Sequence, residues 1–263
     1  MKLLVFACIA CNAIAQAIGD AKVSAKAPVK APMIVPAWRE GKLELRVHHN
    51  AREYELLYDG ASWSTFNVDT CKSDLYADEI TRLMMSFKGD ENHADAGNEV
   101  LMVGLGGGVI GSKLRDVYSM TVLEKNSQVI EKAPSFWKYM EPCGFDGSHM
   151  TVIQGDIMDT KHVGSGTIFE DPEFKFDWII MDIPDIYQQK DISILHHLHK
   201  ITTGLHSSLI LNTWVNMDHI VNKLDNWVLR TRSNLLSEAN TPMGHIYVLD
   251  WVRASSKENG EEL

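Results

Sequence analysis

The chain has no surplus of positive charge. Its 25 Lys and Arg face 35 Asp and Glu, for a formal net charge of −10. That balance excludes a broad nucleic-acid surface, which needs clustered cations to neutralise phosphates. Beyond the first residues there is no apolar run long enough to cross a bilayer, so the mature chain is not expected to touch a membrane. No Asn-x-Ser/Thr sequence occurs, so N-glycosylation is not expected. Cysteine is scarce, four in 263 residues, which excludes a disulfide-dense scaffold. No Cys/His spacing diagnostic of a metal site is present either. His196 and His199 share a helix face but lack a third ligand at a suitable spacing, and they read as solvated or cavity-lining.

What is present begins with a leader. Residues 1–17 read as a secretory signal: Lys2 is the positive start, Leu3 to Ala15 the apolar stretch, and Ala15-Gln16-Ala17 a small-x-small cleavage site. The alternative is an uncleaved anchor. Cleavage takes Cys8 and Cys11 with it and leaves Cys71 and Cys143, an even pair in an oxidising compartment, either bridged or buried as free thiols. Residues 18–37, rich in Ala, Lys and Pro, cannot bury a core and read as a linker. A small β/helix unit is expected over 38–90 and a Rossmann-like domain over 91–254, followed by a polar tail at 255–263. In the first unit, Leu43–Val47 and Tyr54–Tyr58 alternate polar and apolar, and Asp59-Gly60 signals a hairpin. Residues 74–87 read as an amphipathic helix with Leu75, Ile80, Leu83, Met84 and Phe87 facing inward.

From residue 99 strands and helices alternate. Strands are expected at 99–104, 120–124, 150–154, 176–182, 208–214 and 245–252, the last as an antiparallel edge. Helices are expected at 108–117, 126–140, 191–204 and 217–236, and a surface loop at 164–175. The fold class is therefore α/β: a doubly wound, mostly parallel sheet with a small N-terminal β unit.

The run Glu99-Val-Leu-Met-Val-Gly-Leu-Gly-Gly-Gly-Val-Ile-Gly111, then Met120-Thr-Val-Leu-Glu124, reads as strand, glycine turn, helix and a second strand ending in an acid. Glycines let the backbone turn tightly and approach a ligand. No Lys-Ser/Thr follows them, so the turn is not a P-loop, and the spacing is not Gly-x-Gly-x-x-Gly. A nucleoside without phosphates, such as S-adenosylmethionine, fits better than NAD, and Gly104, Gly106, Gly107 and Gly108 are its expected contacts. The alternative is glycines that serve only strand–helix packing. Glu124 is placed to accept from both ribose hydroxyls. Asp156 suits the adenine amino group, with Ile157 beside the ring, although Asp also caps helices well. Asp182 and Asp185 flank Pro184 and are the candidate catalytic acids, able to hold a cationic amine and remove its proton. Tyr187 and Trp214 could line an acceptor pocket, but core packing is the simpler reading of both.

These residues resemble the spermidine-synthase-like branch of class I S-adenosylmethionine-dependent transferases, and within it the methyltransferase-like group that includes elongation-factor lysine methyltransferases. The resemblance rests on Val103-Gly-Leu-Gly-Gly-Gly108, Val122-Leu-Glu124, Gly155-Asp156, Phe176-Asp-Trp-Ile-Ile-Met-Asp182 and Leu209-Ile-Leu-Asn212. It implies glycine contacts at Gly104 and Gly106, a ribose acid at Glu124, an adenine-site acid at Asp156 and a strand-end acid at Asp182. Aminopropyltransferases usually carry an Asp where this chain has Gly107; they follow the fourth strand with Asp-Ser-Ser-Asp-Pro, where this chain has Asp182-Ile-Pro-Asp185-Ile-Tyr, and with a Gly-Pro-Ala segment that is missing here. The expected function is therefore a secreted methyltransferase with a small-molecule or protein amine as acceptor. The alternatives are an aminopropyltransferase using decarboxylated S-adenosylmethionine and a non-catalytic secreted protein that keeps the fold. A homodimer is left open.

Overall fold

A computed structural model describes residues 34–48, 52–88, 97–158, 174–182, 193–204, 207–224, 226–236 and 242–252. Residues 1–17, read as a signal, the tail at 255–263, Asp185, Tyr187 and most of the loop expected at 164–175 lie outside these residues.

The N-terminal unit is a five-stranded antiparallel meander of β1 (Ile34–Glu40), β2 (Leu43–His48), β3 (Glu53–Tyr58), β4 (Ala61–Asn67) and β5 (Lys72–Ser73), paired in chain order. β1 takes in the last four residues of the stretch 18–37 expected as linker, because Ile34 to Pro36 find partners on β2. Asp59 (φ 51°) and Gly60 (φ 79°) both turn left-handed between β3 and β4, the geometry that a two-residue hairpin needs. Helix α1 (Leu75–Lys88) follows, with Ile80, Leu83 and Met84 buried. Leu75, expected on its inner face, is 46% exposed.

The second sheet has seven strands: β6 (Glu99–Val103), β7 (Ser119–Glu124), β8 (Thr151–Gln154), β9 (Trp178–Met181), β10 (Ser208–Thr213), β11 (Trp227–Leu236) and β12 (Pro242–Trp251). Their order is β11-β12-β10-β9-β6-β7-β8. β6 to β10 are parallel, and β12 runs antiparallel between β10 and β11. Two expectations are corrected here. Residues 227–236 form a strand, not the end of a helix over 217–236, and only Asp218–Val221 is helical. β12 is accordingly an inner strand and β11 the edge. Burial along β11 is irregular and two register shifts interrupt its pairing with β12, so its sequence carries no clean two-residue period.

Both faces of this sheet are covered, as its uniformly apolar central strands require. Val100 and Met102 of β6 pack on one side with α1, α2 (Val109–Leu114) and α3 (Ser127–Trp137). Leu101 and Val103 pack on the other with α4 (Ser193–His197) and α5 (Asp218–Val221). Leu43, Leu45, Leu56 and Phe66 of the meander join the first cluster, so the two sheets share a core. A disulfide between Cys71 and Cys143, 72 positions apart in sequence, spans the two units, with Cα atoms 5.6 Å apart. The Lys113–Asp78 ion pair joins α2 to α1.

Candidate functional site

In a parallel sheet the carboxyl ends of the strands share one edge, and residues just past them converge there. At this edge lies a cleft of about 740 Å³. Gly104 and Gly106 follow β6, Glu124 ends β7, Asp156 and Ile157 follow β8, Asp182 follows β9, and Asn212 sits near the end of β10; all line the cleft. The meander and α1 supply the opposite wall with Tyr58, Ser62, Trp63, Asp74, Leu75 and Tyr76.

The four glycines divide between two tasks. Gly104 (φ 96°) and Gly106 (φ 51°) turn left-handed and present backbone to the cleft. Gly107 and Gly108, expected at the ligand, are placed against the protein instead. A Cβ on Gly107 would stand 2.7 Å from Phe136 and 2.9 Å from the Ser64 Cβ, and one on Gly108 would stand 2.5 Å from the Trp137 ring nitrogen. The Gly107 N–H donates to Ser64 Oγ at 2.8 Å, and Trp137 Nε1–H donates to the Gly107 carbonyl at 3.1 Å. These glycines therefore let α3 and β4 close tightly on the turn.

Glu124 is only 5% exposed. Its Oε2 accepts the Leu105 N–H at 2.9 Å, and its Oε1 accepts the Asn126 N–H at 2.7 Å. One bond to each oxygen fixes the carboxylate and leaves each a further lone pair. A buried carboxylate held in this way is preorganised to accept a hydroxyl pair from the cleft side. Asp156 Oδ1 accepts the Met158 N–H at 2.9 Å, the local capping bond that its residue type favours, while its side chain still borders the cleft. Ile157 is buried beside it.

Asp182 Oδ1 accepts from Asn212 Nδ2 at 2.8 Å, and Oδ2 takes no hydrogen bond from a described residue. Burial pushes its carboxyl up to about 6, opposed by the Asn212 bond and reinforced by the negative charges of Asp74 and Glu124. Asp74 is also raised, by burial first, although Thr65 donates to it from both N–H (2.7 Å) and Oγ1 (2.6 Å). The Tyr76 phenol is held well above its ordinary range by burial and then by Asp182 and Asp74, and it donates to the Trp63 carbonyl at 3.1 Å. The cleft thus gathers four carboxylates, Asp74, Glu124, Asp156 and Asp182. Lys125 is the one Lys or Arg among its described lining residues. Such a field favours a cationic guest.

Sequence reasoning missed Trp63, Asp74, Tyr76 and Asn212 as site residues. Asp74 immediately precedes α1 and Tyr76 lies in its first turn, and the only local signal there is a polar pair ahead of an amphipathic run. Trp214, read as core, is 59% exposed at the cleft mouth. His199 Nδ1–H donates to the His196 carbonyl at 2.6 Å, and among the described residues no three His, Cys, Asp or Glu side chains are grouped to hold a metal ion.

No protein-family model matches the chain, and no curated protein matches it. Solved structures show a distant likeness. The N-methyltransferase NodS of Bradyrhizobium japonicum with S-adenosyl-L-homocysteine is 12% identical, with 66% of this chain and 87% of that one covered and a TM-score of 0.47. An O-methyltransferase from Bacillus cereus is 12% identical over 68% and 82% of the two chains (TM-score 0.49). The magnesium protoporphyrin IX methyltransferase of Synechocystis with bound S-adenosylmethionine is 12% identical over 67% and 78% (TM-score 0.47).

Proposed function

We propose that the chain is a methyltransferase that takes S-adenosylmethionine in this cleft and methylates an amine. The observation that carries the reading is Glu124: a buried carboxylate at the end of the second parallel strand, fixed by two backbone N–H groups and bordering a side-chain-free turn at Gly104 and Gly106. That arrangement fits a nucleoside, with the ribose diol on Glu124, the adenine edge at Asp156 and the ring against Ile157. When bound, S-adenosylmethionine supplies a methyl group on a positively charged sulfur.

The remaining chemistry falls to Asp182. An amine entering as an ammonium gives one proton to Asp182 Oδ2 and so frees its lone pair. The nitrogen then bonds the methyl carbon as the carbon–sulfur bond breaks, its electron pair staying on sulfur. A carboxyl raised to about 6 is ionised near neutral pH yet basic enough to take part. Alignment of the two reactants contributes the rest of the rate.

The N-terminal meander that walls the cleft, together with its acids, supports placement in the spermidine-synthase-like branch. A second reading rests on the same acids: the scarcity of cations in the lining favours decarboxylated S-adenosylmethionine over a cofactor bearing a carboxylate, and with it aminopropyl transfer. A secretory destination is part of the proposal, supported by the leader and by the Cys71–Cys143 bridge.

Calorimetric titration of the mature chain with S-adenosylhomocysteine tests the nucleoside site. Saturable binding is expected, weakened about a hundredfold by Glu124→Ala, since bonds to a buried charge are the costly ones to lose. Absence of binding in the wild type overturns the reading. Preference for decarboxylated S-adenosylmethionine over the carboxylated form selects aminopropyl transfer.

A further inference from the structure

Beyond the adenosyl contacts the cleft changes character along its length. Asn212, which holds Asp182, lies two residues before Trp214. Trp214 stands in a bend just past the end of β10 and lines the same cleft. The opposite wall repeats the progression, with Asp74 followed directly by Leu75. At the mouth Trp214 is 59%, Leu75 46% and Met243 44% exposed, and the buried Leu235 lies beneath them. Large apolar side chains exposed together and continuous with a polar pocket mark a binding surface rather than scattered surface residues.

We propose that the acceptor is a small monoamine carrying an apolar group of about aromatic size, with its ammonium between Asp182 and Asp74 and its apolar group on Trp214, Leu75 and Met243. The proposal rests on the methyltransferase reading and names the substrate class for that same site. Both walls pair an acid with an apolar neighbour on the way out, so charge recognition ends where apolar contact begins. Among the described residues, a second ammonium carried one spacer outward meets indole, isobutyl and thioether groups instead of a carboxylate. Its loss of hydration there goes uncompensated by an ion pair. The site is thus built against diamines as well as for an arylalkylamine.

The test uses the mature chain saturated with S-adenosylhomocysteine, with 2-phenylethylamine, 1,4-diaminobutane, Nα-acetyl-lysine amide and 3-phenylpropionate as probes in calorimetry. Phenylethylamine is expected to bind at least about tenfold more tightly than each of the others, the worth of one well-buried aromatic contact or one ion pair. Trp214→Ala is expected to erase that margin over the diamine, and because Trp214 is largely exposed the variant should fold. Diaminobutane or the lysine amide binding as tightly as phenylethylamine overturns the proposal in favour of a polyamine or a protein lysine. Equal binding of phenylpropionate overturns the role of the acids. Failure of S-adenosylhomocysteine itself to bind overturns the methyltransferase reading and this proposal with it. Binding of the nucleoside without any amine overturns this proposal alone.

Discussion

The rim of the seven-stranded sheet and the five-stranded meander both line the cleft, but they reach it by different routes. On the rim each functional residue stands at or just past the end of its own strand: Gly104 after β6, Glu124 ending β7, Asp156 after β8, Asp182 after β9. Parallel topology brings these ends together, and the acids are fixed from within the same sheet edge: Glu124 by Leu105 and Asn126, Asp156 by Met158, Asp182 by Asn212. The meander and the start of α1 bring Trp63, Asp74 and Tyr76 from far away in sequence, and the hold of this unit on the rim is a set of tertiary contacts. Ser64 reaches across 43 residues to Gly107, and the disulfide across 72. The difference teaches that the strand-end wall of the cleft is a property of the sheet, whereas the opposite wall exists only where the N-terminal unit packs against it.

The sharpest way to break this contrast is to untie the units. Replacing both Cys71 and Cys143 by Ser releases a 72-residue closure and is expected to cost about 4 kcal/mol in chemical denaturation. If the rim is self-sufficient, S-adenosylhomocysteine binding survives at temperatures where the folded state persists, while amine binding weakens. Parallel loss of both would erase the distinction.

Asp182→Asn probes the rim residue that faces both walls. Turnover of an amine acceptor is expected to fall about a hundredfold with little change in nucleoside affinity, the usual worth of a positioned base. The wild-type rate is expected to drop as pH falls through about 6, and the variant should lose that limb. The stability effect has the opposite sign. A carboxyl raised above its ordinary 3.8 opposes folding once the unfolded chain ionises. That penalty is absent below the unfolded value and complete above about pH 6. Asp182→Asn should therefore raise the melting midpoint near neutral pH and leave it little changed in acid, which scanning calorimetry at the two pH values reads directly.

Gly107→Ala drives a wedge between the regions. Its methyl would meet Phe136 at 2.7 Å and the Ser64 Cβ at 2.9 Å, so a loss of about 2 kcal/mol is expected from overpacking. Ser64→Ala is the mildest cut. It leaves the Gly107 N–H buried without its partner, at a cost of about 1 kcal/mol by urea unfolding. Gly107→Ala and Ser64→Ala disturb one contact, so their combined effect should fall short of the sum.

Much of this was legible in the sequence where the information was local. Five parallel strands, the glycine turn, and the acids Glu124, Asp156 and Asp182 could be read because each strand is a short apolar run with punctuation just beyond it. Asp59-Gly60 announced its hairpin for the same reason. β11 escaped because irregular burial and two register shifts blur its alternation, and with it went the inner position of β12. Gly107 and Gly108 looked identical to Gly104 and Gly106, since nothing in a glycine tells whether the space beside it belongs to a ligand or to Phe136 and Trp137.

By itself the sequence determined the strand-and-turn grammar and the chemistry available at each strand end, because local propensity and burial period act within a few residues. Only the tertiary structure decided which wall faces those ends, which glycines remain open, that Cys71 meets Cys143, and that Asp182 is held by Asn212 opposite Asp74. Those are distances between segments tens of residues apart, and packing of the N-terminal unit onto the sheet around their shared core sets them rather than any neighbour in the chain.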